Sequence, residues 1–383
     1  MNFDFSEEQT QLDDMLQRFI RNDYSFEVRQ RILESADGFS RSIWQQFAEL
    51  GLLALTLPEE YDGFGGSALD TLLVMQSLGR GLVLEPYLPT VLGAGLIAQA
   101  GSDAQRSSLL PKVAAGECLL TLAHSEPHSR YQLQHVSSHA EESAAGYKLN
   151  GNKSVVLAGQ HADYFIVSAR TTGKPSDADG ISLFLVDSKQ AGITQIPYRN
   201  HDGQSAADIG FSNVELSKDA LIGDLNKGLS LLELYRDTAI AALCAEAVGI
   251  MDALISETGE YLKTRKQFGV PLGIFQALQH RMADMLLHTE QARSMAYLAA
   301  GKLDADSATR ARTMAAAKTL TGQSARFVGQ QSVQLHGGIG VTEELIIGHY
   351  FKRLTLINTT LGDADFHLGR FSDMMVQEEL CKS

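Results

Sequence analysis

The sequence predicts an α+β chain in three parts. A helical N-terminal domain covers 1–118, a barrel-like β domain covers 119–222, and a C-terminal four-helix bundle covers 223–383. Three observations predict it. Apolar residues recur at helical spacing up to about Cys118. Short runs of strand formers, separated by turn residues, fill the middle. No proline follows Pro271, and long helices exclude proline because it lacks the N–H and clashes with the preceding turn.

The elements follow in order. Ser6-Glu7-Glu8-Gln9 stands before Leu12, Met15, Leu16, Phe19 and Ile20, which share one helix face. Ser40 to Leu50 is a second such segment and carries the single tryptophan, Trp44. Leu55 to Gly66 is a loop punctuated by Pro and Gly. Helices are expected over Ser67–Gly79 and Thr90–Ala100, and Pro111 predicts another short connection. In the middle part, Asn150-Gly151 between two strand-like runs (Tyr147 to Lys153) predicts a hairpin. Tyr164–Arg170 and Ile181–Asp187 are rich in strand formers, and Ile209–Leu216 partly alternates. The bundle helices are expected at about 229–264, 275–299, 308–335 and 343–375, with the acids Glu343 and Glu344 opening the last, where they suit the helix dipole.

Composition narrows the function classes. The 383 residues are 44% hydrophobic and 20% charged, with a net charge of −14. Duplex binding rests largely on neutralising phosphates, so so acidic a chain is not a general nucleic-acid binder. Cys118, Cys244 and Cys381 lie far apart and form no CxxC, which points to a reduced compartment. The acidic start, Met1-Asn2-Phe3-Asp4-Phe5-Ser6-Glu7-Glu8, resembles neither a signal nor a transit peptide. No uncharged apolar run reaches the roughly 18 residues of a membrane span. The expectation is a cytoplasmic protein with no membrane span.

Two short motifs carry the chemistry. Arg265-Lys266-Gln267-Phe268-Gly269 offers a guanidinium and an aromatic ring. Gln334-Leu335-His336-Gly337-Gly338-Ile339-Gly340 offers a side-chain amide and glycines that let a backbone approach a ligand. Both read as helix termini. Together they could hold a pyrophosphate and a flat heterocycle, hence a large nucleotide cofactor. Gly337-Gly338 also reads as a helix C-cap. His124, His128, His135 and His139 have four-residue spacings but straddle Pro127, so solvated loop histidines are expected rather than metal ligands.

Further stretches extend the pattern: Glu49 to Leu53 with Leu57 to Gly66, Ser125-Glu126-Pro127, Leu149 to Lys153 with Ala162-Asp163, and Phe275 to Gln279. In this order, with the two motifs, the whole chain resembles the acyl-CoA dehydrogenase family. The loop Ser125-Glu126-Pro127-His128-Ser129-Arg130-Tyr131 resembles a subgroup like the small subunit of pimeloyl-CoA dehydrogenase. The resemblance implies FAD, an acyl-CoA substrate and α,β-dehydrogenation: a carboxylate takes the α-proton and the β-hydrogen leaves as hydride. Electron-transfer flavoprotein is the implied electron acceptor. The implied cofactor contacts are Arg265, Phe268, Gln334, Leu335, Gly337 and Gly338, which in the family reach a neighbouring subunit's flavin. Ser125, Glu126, Val155 and Leu157 are implied on the subunit's own flavin.

The chain departs from the family at that second set. Where the family has its base, usually Glu before Gly, stands Leu361, which cannot take a proton. Asp363 lies two residues on. The family's other base position falls near Ala239-Ile240, with Asp237 two residues before. A two-residue shift turns a helical side chain by about 200°, so both aspartates read as solvated or capping residues. The family's ring-side Trp and Thr or Ser are Val155 and Leu157. The departures fall on the half used for the subunit's own flavin. The chain is therefore expected to pair in a heteromer with a base-carrying chain, or to form a homo-oligomer. The competing readings are an active enzyme with a displaced base, a catalytically silent flavin- or CoA-ester-binding subunit, and an interaction protein that binds CoA esters or a partner with no flavin.

Overall fold

The computed structural model describes residues 5–382. Met1 to Asp4 and the side chain of Cys381 lie outside the described residues. The helices are α1 (Glu7–Asp23), α2 (Phe26–Glu34), α3 (Arg41–Glu49), α4 (Ala68–Gly81), α5 (Tyr87–Ala100), α6 (Asp103–Ala114), α7 (Gly228–Thr264), α8 (Gln276–Ala300), α9 (Ser307–His336), α10 (Ile346–Thr359) and α11 (Ala364–Lys382). The strands are β1 (Leu120–Ala123), β2 (His139–Ser143), β3 (Gly146–Leu157), β4 (Tyr164–Arg170), β5 (Ile181–Asp187), β6 (Ile193–Arg199), β7 (Ser205–Ser217), β8 (Leu221–Ile222), β9 (Lys266–Gln267) and β10 (Val270–Pro271). The order is an N-terminal helical domain, a middle β-sheet domain and a C-terminal helical domain. Residue contacts divide the chain into two compact units, one of 1–31, 68–83 and 237–383, the other of 32–67 and 84–236.

In the first unit, Ser6 and Gln9 form the capping box that starts α1. Two glycines let α4 and α7 touch backbone to backbone: a Cβ on Gly249 would fall 1.9 Å from the Gln76 carbonyl oxygen, and one on Gly79 would fall 2.3 Å from that of Glu246. Along α7, one 18-residue window is apolar enough to cross a membrane, but 83% of it is buried within the protein, so α7 is a core helix. Arg353 of α10 grips Glu246 of α7 with two hydrogen bonds of 2.6 and 2.7 Å, both groups being buried.

In the second unit, seven strands run β6-β7-β3-β2-β4-β5-β8, and β1 joins β4 in parallel. Leu149, Val156, Phe165, Val167, Phe184, Val186, Ile209 and Phe211 pack one core of this sheet. Leu96, Ile97, Leu109 and Leu110 of α5 and α6 pack a second with Leu120 and Ile166.

Four expectations are corrected. Asn150-Gly151 does not turn the chain; it lies inside β3, where the register with β7 slips between Leu149 and Gly151. Gly151, at φ 143°, is required because a Cβ there would strike Ser138 at 2.3–2.6 Å, and the hairpin turns instead at Ala144-Ala145. Pro111 sits in the last turn of α6 rather than in a connection. The last bundle helix is two, α10 and α11, broken at Thr360 to Asp363. Glu343 and Glu344 precede α10, which starts at Ile346; the Glu343 carboxylate instead pairs with Lys352.

Candidate functional site

Where α7 ends, Arg265 leads into a two-strand hairpin pairing Lys266 with Pro271 and Gln267 with Val270. Its loop residues Phe268 and Gly269 have φ of 56° and 83°. Two positive-φ residues make a type I′ turn, for which Asn-Gly is the usual sequence. Phe268 is an uncommon choice there; it is 90% exposed, and its ring meets that of Phe275 edge-on with centroids 6.3 Å apart. Arg265 uses its backbone within the chain, its N–H donating to the Tyr261 carbonyl and its carbonyl accepting from Leu272. Its guanidinium is exposed and makes no ion pair among the described residues.

The second motif ends α9. Gly337, at φ 66°, caps the helix, its N–H donating to the Val333 and Gln334 carbonyls. Gly338 differs: its φ is not left-handed, and a Cβ on it would meet nothing within 4 Å. Neither backbone geometry nor packing in this chain asks for glycine there, whereas close approach of a ligand would. Gln334 is exposed, while Leu335 is buried and turns its side chain into the protein.

The fold brings the two motifs together. The Tyr261 ring stacks on His336 with centroids 4.3 Å apart, and the Tyr261 hydroxyl donates to the His336 carbonyl at 3.3 Å. His336 Nδ1 donates to the Ser332 carbonyl at 2.8 Å, and burial pulls the imidazole below its ordinary pKa. The joined surface shows an unpaired guanidinium, an exposed ring, a free amide and an uncrowded glycine. Those groups fit the phosphates and adenosine of a dinucleotide.

A second surface lies on the β domain. Glu126 is buried, not turned to a ligand. Its carboxylate accepts from the Ser137 and Ser138 amides at 2.7 and 3.0 Å and from Lys153 Nζ at 2.7 Å. Lys153 also donates to the His124 carbonyl and to Ser168. Burial pushes the Glu126 carboxyl up, but Lys153 and the two amides outweigh it and hold the carboxyl at about 2. The pair thus clamps the loop holding Ser125 onto β3, and the Ser154 N–H donates to the Ser125 carbonyl at 2.8 Å. Ser125 and Val155 are exposed and close in structure, and Leu157 is half-buried, its carbonyl accepting from Thr121 at 2.8 Å.

At the expected base position the chain makes a braced turn. Leu361, at φ 59°, and Gly362, at φ 112°, break α10 from α11. Buried Lys318 donates to the carbonyls of Ile357, Asn358 and Thr360, and His367 Nε2 donates to that of Leu361 at 2.9 Å. Burial pushes the Lys318 ammonium down to about 8. Gly362 is required, since a Cβ there would fall 2.5 Å from His367 Nε2. Asp363 caps α11 through the Phe366 N–H at 2.8 Å. Asp237 is neither solvated nor a cap: it is buried and paired with Arg310 at 3.1 Å. Neither aspartate stands free to take a proton.

The histidines divide. His124 is buried, not solvated; its Nδ1 meets Ser168 Oγ at 2.9 Å, and burial and Lys153 push it down to about 3. His135 meets Ser176, and His139 lies exposed on β2. Among the described residues no group of three His, Cys, Asp or Glu side chains could hold a metal. Sequence reasoning missed Lys318, His367 and Tyr261. Only Lys318 left a signal, a lone charge in the run Met314-Ala315-Ala316-Ala317-Lys318.

Comparison with known proteins gives the family. The family descriptions of the acyl-CoA dehydrogenase N-terminal, middle and C-terminal domains match residues 6–117, 121–218 and 237–375. The mitochondrial long-chain specific acyl-CoA dehydrogenase of Mus musculus is 30% identical over 80% of this chain and 73% of its own. CarC, a subunit of the caffeyl-CoA reductase-Etf complex of Acetobacterium woodii, is 25% identical over 98% of this chain and all of its own. Among solved structures, a variant of the Tcur3481-Tcur3483 steroid ACAD superposes with a TM-score of 0.88 at 28% identity, covering 98% of this chain and 99% of that one.

Proposed function

Because the chain belongs to the acyl-CoA dehydrogenase family, we propose that it acts as the base-lacking subunit of a heteromeric acyl-CoA dehydrogenase. It is an acyl-CoA dehydrogenase-type oxidoreductase whose cofactor is FAD. In this reading the Arg265 hairpin and the Gln334 to Gly340 turn serve a flavin seated on a partner chain. Arg265 faces its pyrophosphate, Phe268 covers a flat ring, and Gly338 lets the backbone approach. Ser125, Val155 and Leu157 lie along the ring of the flavin this chain holds itself.

Bound FAD supplies the hydride acceptor, which no side chain can do. The residues of this chain bind and orient; none of them takes the α-proton. Leu361 carries the proposal, because its turn is fully braced yet ends in a side chain that cannot act as a base. The base then comes from the partner, whose own turn would bear a carboxylate. The substrate class is an acyl-CoA thioester, and electron-transfer flavoprotein is the expected acceptor, in line with a relative named for an Etf complex. The Ser125 to Tyr131 loop supports kinship with pimeloyl-CoA dehydrogenase small subunits.

The test is anaerobic titration with acyl-CoA while following the flavin absorbance. The lone chain should show no bleaching, and the chain co-purified with a base-carrying partner should bleach. Full flavin content and turnover by the lone chain would overturn the proposal.

A further inference from the structure

Val155 occupies a conformation that its side chain resists. Lys153 pairs with Ile209 and Val156 with Ala207, so Ser154 and Val155 together oppose Asp208 alone. This is a β-bulge, and it frees two amides from the ladder. The Ser154 N–H goes to the Ser125 carbonyl at 2.8 Å. The Val155 N–H goes to Asp208 Oδ1 at 3.0 Å, and the same oxygen accepts from the Tyr198 hydroxyl at 3.0 Å. Val155 has φ 55°, an outlier for a β-branched residue. Its side chain is 51% exposed, so packing within the chain does not offset the strain. Strain of this kind persists only where surrounding groups over-determine it, and it gathers at functional positions.

We propose that Asp208 and Tyr198 are positioning residues that hold the Val155 bulge open so that its aliphatic face meets the flavin ring. The assignment rests on the reading above that Val155 and Leu157 line a flavin. Asp208 is the one residue opposite the bulge, so its carboxylate replaces the ladder bond that the bulge breaks. Tyr198 approaches from β6, whose Ile196 is paired with Asp208, and anchors the carboxylate from the far side. Burial and Asp208 push the Tyr198 phenol up to about 12, so it stays a proton donor at any working pH. A pair that only sealed the sheet would favour a residue suited to left-handed backbone at 155; the valine is explained by what lies outside the chain.

The test uses the full-length protein in the assembly in which it purifies, stripped of flavin and titrated with FAD. Thermal midpoint and hydrogen exchange over 152–158 are measured beside it. Val155→Gly should hold or raise the midpoint while weakening FAD about tenfold, the signature of strain kept for a ligand. Asp208→Asn and Tyr198→Phe should speed exchange at Val155 and weaken FAD, and combining either with Val155→Gly should add little. Should Asp208→Asn fail to fold, the milder Tyr198→Phe decides. Faster exchange with unchanged FAD affinity overturns the proposal, as does a Val155→Gly midpoint that falls together with affinity. An unaltered protein that takes up no FAD instead refutes the flavin reading, and this assignment goes with it.

Discussion

Phe268 and Leu361 are bulky residues in left-handed backbone, at φ 56° and 59°, and neither is explained by the chain alone. An L-residue in that region is strained by roughly 1–2 kcal/mol, and asparagine tolerates it better. Phe268→Asn should therefore raise the thermal midpoint of the lone chain by a degree or more while weakening FAD retention in the assembled protein. A variant that loses midpoint and keeps flavin would show that the ring is part of the fold. The identity of these residues was legible in the sequence: the Arg265 motif names Phe268, and counting from Tyr350-Phe351-Lys352-Arg353 reaches Leu361. Their setting was not. Asp237 read as a solvated or capping residue because its partner, Arg310, is 73 positions away, and no local pattern announces a contact of that range.

At the scale of elements, the braces behind the turns set the energetics. Lys318 closes α10 by donating to three carbonyls. Lys318→Met should leave buried acceptors unpaired at a loss of about 1–3 kcal/mol, with exchange rising first over 357–363. In the β domain, the folded Glu126 carboxyl lies at about 2, below its ordinary 4.5. A depressed carboxyl stabilises fully above the ordinary value and loses that contribution as pH falls toward the folded one. The acid limb of the stability profile, between about pH 4.5 and 2, should thus flatten in Glu126→Gln. The same variant leaves Lys153 buried without its counter-charge and should be several kcal/mol less stable at neutral pH, in thermal or denaturant unfolding. Element type was readable where a helical or alternating period survives in the sequence, as in α1, α7, β4 and β5; the shorter α2, α6, β1 and β6 carry too little of one and were not predicted. Boundaries failed where one residue type serves two ends. Gly151 marks a bulge rather than a turn, Pro111 fits a last helical turn, and the break at Leu361-Gly362 lies between segments with the same apolar period.

For the whole molecule, the issue is what covers the ligand-facing surface. The segments that carry the two motifs expose Phe268, Ile339 and Val341 at 90, 49 and 71%, all within one compact unit. A second copy of this chain would cover them as well as a different chain would. The turn at Leu361 separates the two cases, because a homo-oligomer would have no base in any of its sites. Leu361→Glu puts a carboxylate on a turn whose bracing by Lys318, His367 and Asp363 acts through backbone atoms and does not depend on the side chain at 361. If the missing base is the only deficit, the flavin-loaded Leu361→Glu homo-oligomer should bleach with acyl-CoA while the unaltered one does not. The gain should follow the ionised form of the new carboxyl, rising as pH increases through its pKa. A Leu361→Glu protein that folds, holds FAD and still fails to bleach, beside a heteromer that does, would place the remaining deficit at the altered ring-side residues Val155 and Leu157. Bleaching by the unaltered homo-oligomer would instead require a base that the braced turn does not supply.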